Sequence, residues 1–343
     1  MKIDIYIYGD QFTPSSRLRW INYKNEFENE NIDFKVKEIG DYVSKRFFLK
    51  KPIEQADVIV IQKYILSDRL LNKFKSKCEH IVFDIDDAIW LSHSYKKKNQ
   101  PYYKRLRSNV YNVMFYESSK KYDKIISSNN YIKDFLEKLN KNITIIPTSP
   151  SDNPNKNQEK KLFDGKFIVG WTGTKANFVF IHKIEKYFRE FFIKNKNAYL
   201  LIVSDGIYES DNKEFNKKII NVKWDVNSEI QYIKSFDIGI MPLEKDEWCL
   251  GKAAYKLIYY MKNGIPTIST NWGFQTEFIN NGQNGYLVEN NKAWERCLQL
   301  LYDNSDERPH IGNNGYNTYL KLFSKEVIFT KMKDALVVKS IQK

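Results

Sequence analysis

The stretch Asp237-Ile238-Gly239-Ile240-Met241-Pro242-Leu243, followed by Trp248-Cys249-Leu250-Gly251-Lys252-Ala253-Ala254-Tyr255-Lys256-Leu257-Ile258-Tyr259-Tyr260-Met261-Lys262-Asn263-Gly264-Ile265-Pro266, decides the fold. A short apolar run bounded by turn formers reads as a buried strand, and the run after it has helical spacing. Gly264 is the residue that ends such a helix, and Pro266 opens the next strand. The unit is therefore strand, loop, helix, strand, with the helix expected to start at or just after Gly251. A glycine there lets a ligand come close to the backbone. The N–H groups and dipole of a helix's first turn favour an anion such as phosphate. Lys252 and Lys256, one turn apart, sit on the same face to meet it. A solvated βαβ unit with two surface lysines is the plainer alternative.

The same alternation runs outward in both directions and implies parallel sheets with crossover helices. Strands are expected at 2–9, 34–39, 56–62, 80–86, 124–128 and 143–147. Helices are expected near 15–30, 67–77, 102–122 and 130–140. Pro147 to Gln158 holds three prolines and no large apolar side chain, which marks a linker. Strands then recur at 166–171, 198–204, 219–224, 237–241, 266–270 and 285–288. Helices fall near 177–195, 228–235, 252–263, 274–281, 291–303, 309–322 and 325–340. The fold class is α/β, with two Rossmann-like domains facing across a cleft. The expected domains are 1–150 and 151–322, with a last helix in 323–343 returning to the first domain. In open α/β sheets ligands bind beyond the carboxyl ends of the strands.

The chain has 343 residues, 42 % of them hydrophobic and 15 % aromatic, enough for packed cores. No apolar run reaches the roughly 20 residues of a membrane span. The first residues read as a strand rather than a signal peptide, so a cytoplasmic location is expected. Cys78, Cys249 and Cys297 are widely spaced and read as reduced thiols. The formal net charge is +13; residues 1–150 hold 27 Lys+Arg against 19 Asp+Glu, and 151–343 hold 28 against 23. Much of the excess lies in 91–124, where Lys96-Lys97-Lys98, Lys104-Arg105, Arg107, Lys120-Lys121 and Lys124 alternate with tyrosines. An anionic membrane surface, a nucleic acid or a polyanionic substrate each fits that pattern. A solvated helix face is the alternative.

Three further clusters carry chemistry. Gly170-Trp171-Thr172-Gly173-Thr174-Lys175 follows the strand Phe167-Ile168-Val169, and its N–H, hydroxyl and ammonium groups suit a diphosphate. Gly9 to Arg19 joins the first strand to the first helix; Ser15 or Ser16 reads as the N-cap. Arg17 and Arg19 in a first turn oppose the helix dipole, which points to an anion nearby. Asp84-Ile85-Asp86-Asp87-Ala88-Ile89-Trp90 puts three carboxylates at a strand end, where they repel unless they meet cations or donors. Asp86 or Asp87 can orient or deprotonate a hydroxyl, with His93 six residues on. A Mg²⁺-dependent phosphohydrolase using Asp84 and Asp86 is one alternative. A non-catalytic glycan- or nucleic-acid-binding protein using the basic aromatic stretch is another.

The pieces Pro242-Leu243, Gly251-Lys252, Lys256, Tyr260-Met261, Gly264-Ile265-Pro266 and Asn284-Gly285-Tyr286-Leu287-Val288, with Gly170 to Thr174, resemble the donor-binding region of GT-B-fold glycosyltransferases of family 4. The Asp-Asp-Ala-Ile-Trp segment resembles the acceptor side of the same fold. This resemblance implies a nucleotide-sugar donor, a glycan or lipid-linked acceptor, retention at the anomeric carbon and no obligatory metal or other cofactor. On it the donor residues are Thr172, Gly173, Thr174, Lys175, Gly251, Lys252, Lys256 and Tyr259. The acceptor residues are Ser16, Arg17, Asp84 and His93, and the catalytic ones Asp86, Asp87 and Lys252. Nucleic acid is disfavoured as a partner, and a peripheral seat on anionic lipid through 91–124 is expected. The chain departs from the family at Gly251 and Tyr259, where many members carry glutamates, so Glu244, Asp246 or Glu247 is the expected substitute.

Overall fold

The computed structural model describes residues 1–44, 48–91, 102–151, 162–290 and 292–337, without the side chains of 102–108. His93 and Lys96 to Lys98 lie outside the described residues, as does most of the expected linker. Two compact units emerge. Unit 1 comprises 1–151, 246–253 and 325–343; unit 2 comprises 152–245 and 254–324.

Unit 1 is built on β1 (Lys2–Ile7), β2 (Asp33–Glu38), β5 (Ala56–Gln62), β6 (Cys78–Ile85), β7 (Lys124–Ser127) and β8 (Ile143–Ile145), with a small hairpin of β3 (Val43–Ser44) and β4 (Phe48–Leu49). The six long strands form one parallel sheet in the order β2-β1-β5-β6-β7-β8. Alternate residues feed opposite cores, as a period of two requires. Ile3, Ile5, Val58, Val60 and Val82 pack with Trp20, Tyr23, Phe27, Ile328, Met332 and Leu336. Tyr6, Ile59, Ile61, Ile81 and Phe83 pack with Leu70, Phe74, Phe115, Ile132 and Leu136. The helix Lys325–Leu336 thus covers one face of this sheet, and Lys325 pairs with Glu26.

The expected helix over 15–30 is interrupted. It runs Pro14–Arg19, breaks at Trp20 (φ −128°, ψ −53°), makes a 3₁₀ turn over Ile21–Tyr23 and resumes at Lys24–Asn29. The break sends both Arg19 and Trp20 into the interior, where each binds the carboxylate of Asp84.

Unit 2 carries β9 (Phe167–Thr172), β10 (Ala198–Ser204), β11 (Ile219–Lys223), β12 (Ile238–Met241), β13 (Thr267–Thr270) and β14 (Tyr286–Val288). They form a parallel sheet in the order β11-β10-β9-β12-β13-β14. This is the dinucleotide-fold order, and its direction reverses between β9 and β12. Gly170 and Gly239 pair across that junction. A Cβ on Gly170 would fall 2.1 Å from the Phe236 ring, and one on Gly239 would fall 2.3 Å from the Tyr260 ring. The two aromatic rings therefore lie flush on the strands.

Within 252–263 the helix is Tyr255–Lys262, entered through Ala254 in the left-handed region (φ 49°). A separate turn of helix, Glu247–Leu250, precedes it, capped by Asp246. The long helix ends as read: Gly264 has φ 67°, and the N–H of Ile265 reaches the carbonyl of Tyr260 at 3.1 Å. The 274–281 helix is reduced to a 3₁₀ turn, Phe274–Glu277.

Candidate functional site

In unit 1 the carboxyl ends of β1, β5 and β6 collect the residues singled out above. Asp84 is fully buried. Its carboxylate accepts from Arg19 Nε (3.1 and 3.0 Å), Arg19 Nη2 (2.5 Å) and Trp20 Nε1 (2.7 Å). Arg19 spends Nη1 on the carbonyl of Ile146 and the hydroxyl of Thr148, both at 3.0 Å. Asp84 therefore corrects the reading as an acceptor contact: its lone pairs already hold an internal cation. Ser16 is corrected likewise. It is buried, and its hydroxyl donates to the carbonyl of Tyr8 (2.6 Å) and lies 2.9 Å from Gln62 Oε1. Nor is it the helix cap; Thr13 holds that place with Pro14 behind it, and Asp10 accepts from the N–H groups of Phe12 and Thr13. Arg17 consequently sits in the helix's last turn, where its charge suits the dipole, and the argument for an anion at Arg17 loses its basis.

Asp86 and Asp87 have a partner that sequence reasoning missed. Lys63, immediately after β5, places Nζ 2.8 Å from Asp86 Oδ1 and 2.7 Å from Asp87 Oδ2. Burial alone would push the Asp86 carboxyl up, but Lys63 and Arg19 outweigh it and hold Asp86 below the ordinary carboxylate range. Burial opposes the charge of Lys63 too, and Asp86 and Asp87 override it, pushing that ammonium up. The three strand-end carboxylates thus already carry two side-chain cations, which removes the free nucleophile that a phosphohydrolase at Asp84 and Asp86 requires.

Gly251 also has a reason other than a ligand. It belongs to the segment 246–253 of unit 1, and a Cβ there would fall 2.5 Å from Ala88 Cβ and 2.9 Å from Ala88 N. Its close approach is to Ala88, and it caps the end of the turn Glu247–Leu250 instead of opening the long helix. Asn129 Nδ2 donates to the carbonyl of Lys252 at 3.3 Å. The ammonium of Lys252 lies 5.7 Å from the Trp248 ring.

In unit 2 the switch point at the carboxyl end of β9 holds Thr172 to Lys175. Much of this loop's donor capacity is used internally. The Thr172 N–H donates to Tyr260 Oη (3.1 Å), that of Gly173 to the carbonyl of Val203 (3.1 Å) and that of Lys175 to Asp205 (2.6 Å). The Thr172 hydroxyl faces Val203 O and Glu229 Oε1, both at 3.2 Å. Those three N–H groups therefore do not wrap a diphosphate as expected; they shape the loop. What it presents is the exposed Thr174 and Lys175. Lys256 reaches back over it: its ammonium is 5.2 Å from the Trp171 ring, and its Cε fills the space a side chain at Gly173 would need. Tyr259 is buried beside Tyr255.

Of the acids expected to replace the missing glutamates, Glu244 pairs with Lys183 and Asp246 is the cap already described. Glu247 bears on Tyr131, whose hydroxyl is pushed up by burial and by that carboxylate. Two other carboxylates reach the switch point, Asp205 at the Lys175 N–H and Glu229 at the Thr172 hydroxyl, and Glu229 was not among the residues singled out from the sequence. Its only trace in the sequence is an acid at the start of the helix Glu229–Ile233.

Residues 165–304 match the family described as "Glycosyl transferases group 1". The whole architecture is shared with solved structures: a glycosyltransferase from Rickettsia africae ESF-5 superposes with TM-score 0.63 at 15 % identity, covering 97 % of this chain and 98 % of that one. This chain has the GT-B fold. Anabaena HepE in complex with UDP-glucose shares the GT-B fold at TM-score 0.62 and 12 % identity, with 97 % and 98 % coverage. In sequence the GT-B chain is 26 % identical over 229 residues to the capsular polysaccharide biosynthesis glycosyltransferase CapM of Staphylococcus aureus. That match spans 61 % of this chain and 57 % of CapM, under two thirds of the relative's length.

Among the described residues, no helix of the GT-B chain is long and apolar enough to cross a membrane. Of the basic stretch, the three lysines whose side chains are described are engaged. Lys120 pairs with Glu117, Lys121 with Asp68, and Lys124 donates to the carbonyl of Ala335. Among the described side chains of the helix Tyr102–Ser119, Val110 (58 %) and Val113 (61 %) are exposed beside Tyr116, along with Asn109 and Glu117.

Proposed function

We propose that the chain transfers a sugar from a nucleotide diphosphate-sugar to a hydroxyl of a cell-envelope glycan or lipid-linked acceptor. The observation that carries this reading is Lys256 laid over Gly173 at the switch point of the unit 2 sheet, where an α/β fold binds its nucleotide. HepE, bound to UDP-glucose on the same fold, supports a nucleotide-sugar donor, and CapM's part in capsule synthesis supports a glycan acceptor.

In the transfer the bond from the anomeric carbon to the diphosphate oxygen breaks and a bond to the acceptor oxygen forms. The acceptor proton passes to the departing phosphate on the same face of the sugar, giving retention without a metal. Lys256 and Lys175 stabilise the negative charge that grows on the leaving group, and Thr174 donates its hydroxyl. In unit 1, Gly251 keeps its segment's backbone against Ala88. Asp87, with Asp86 behind it, accepts the hydrogen bond of the acceptor hydroxyl. The exposed Val110–Val113–Tyr116 face rests on the lipid that carries the acceptor, inside the cell.

A thermal-shift panel of nucleoside diphosphates and nucleotide-sugars tests the reading, since a ligand that binds only the folded state raises its melting point. UDP or GDP compounds are expected to stabilise the protein, and Lys256→Ala to remove most of that shift. Asp87→Asn is expected to keep the shift and stop transfer. A chain that no nucleotide stabilises does not carry this activity.

A further inference from the structure

We propose that Lys63 is a positioning residue for the acceptor: it clamps Asp86 and Asp87 into a fixed pair of hydrogen-bond acceptors for sugar hydroxyls. The inference rests on the transferase reading above and assigns the recognition of its acceptor. Lys63 stands directly after β5, at the junction with β1 where the unit 1 strand order reverses, the place where such sheets bind ligands. Its backbone has φ 52°, a conformation that residues with a side chain seldom adopt. It is held there by its own N–H, which donates to the carbonyl of Asp84 at 2.8 Å. The unfavoured backbone aims the side chain back along β6, so that one ammonium meets both carboxylates. Strain kept for a specific side-chain placement is the mark of a working site.

Among the described residues, the charges around this clamp are paired. Asp84 faces Arg19, and Arg19 together with Lys63 acts on Asp86. Without Lys63, adjacent carboxylates repel and one takes up a proton. With it, the Asp86 carboxyl is held low and both carboxylates are fixed on one ammonium, which suits accepting hydrogen bonds and not removing a proton. The Lys63 side chain is only 13 % exposed, whereas that of Asp87 is 36 % exposed and so accessible to a ligand. A pair of fixed anionic acceptors is matched by a neighbouring pair of sugar hydroxyls. Proton removal is then left to the departing phosphate.

The test compares full-length wild type, Lys63→Met and Lys63→Arg. UDP-glucose, UDP-N-acetylglucosamine and GDP-mannose serve as donor probes, with n-octyl β-D-glucoside as acceptor probe. The Asp86 carboxyl is titrated in parallel by ¹³C NMR. Lys63→Met is expected to raise the acceptor KM at least tenfold at pH 6, to leave the donor KM within twofold and to move the Asp86 midpoint up by a pH unit or more. Lys63→Arg should restore both readouts to near wild type. If Lys63→Met unfolds unit 1, Lys63→Gln supplies the same split between acceptor and donor KM. A titration that does not move, or an acceptor KM that stays put while Asp86 shifts, overturns the proposal. A wild type that turns over none of the donors, hydrolysis by water included, instead overturns the transferase reading, and with it the acceptor role.

Discussion

Replacing Asp84 with alanine removes the counter-charge of a guanidinium that is 2 % exposed. Arg19 has no path to solvent, and its Nη1 stays tied to Ile146 and Thr148, so the charge stays where it is. Breaking a buried pair by deleting one partner costs about 3–5 kcal/mol. Trp20 Nε1 also loses its acceptor, which adds about 1 kcal/mol or more for an unsatisfied buried donor. Against a usual domain stability of about 5–15 kcal/mol, this is a large fraction. At about 2–4 °C per kcal/mol, the total of about 4–6 kcal/mol should lower the unit 1 transition in a calorimetric scan by roughly 8–24 °C. Hydrogen exchange should show β1 and β6 losing protection while β9 and β10 keep theirs. Asp84→Asn, which keeps an acceptor for Trp20, should sit at the mild end. An Asp84→Ala protein whose unit 1 melts within 2 °C of wild type yet transfers no sugar would falsify the structural role and return Asp84 to the acceptor site.

Gly251→Ala forces a methyl to within 2.5 Å of Ala88 and should destabilise unit 1 by about 1–3 kcal/mol, with Gly251→Ala/Ala88→Gly recovering part of it in urea titrations. Tyr260→Phe removes the acceptor of the Thr172 N–H and should cost unit 2 about 1–3 kcal/mol by the same method. Because Asp86 is held below its ordinary value of 3.8, its ion pairs stabilise the fold fully above that pH and are lost as pH falls through the lower, folded value. Acid unfolding of the wild type should therefore show a proton uptake near Asp86 that Lys63→Met lacks. Val113→Asp should reduce flotation with anionic phosphatidylglycerol vesicles at least fivefold without changing nucleotide binding.

Strand positions were legible because runs such as Val58–Ile61 and Leu200–Val203 carry their burial in composition, and the GT-B fold followed from their alternation with helices. The helix stop at Gly264 was legible for a local reason, a left-handed residue after the last turn. What stayed hidden was tertiary. Nothing near Trp20 announces that the helix breaks there to reach Asp84, 64 residues on. Gly251 looked like a ligand's glycine because Ala88, its actual neighbour, is remote in sequence. Lys63 is one lysine after an apolar strand, and only the folded sheet sets it between two carboxylates. Glu229 was missed for the same reason: its meeting with Thr172 joins the start of a helix to the end of a strand 57 residues away.

Unit 1 draws on three separate stretches of chain, the last of which includes the helix Lys325–Leu336 over Trp20 and Phe27. On the ribosome, the sheet of the first 151 residues therefore waits with one oily side uncovered while unit 2 is being made. At about 5–20 residues per second that interval is roughly 10–40 s. Cutting the gene after codon 151 would not yield a self-sufficient piece. A permuted chain that starts at the final helix and continues into β1 would close that side early, and should give more soluble product in a cell poor in chaperones.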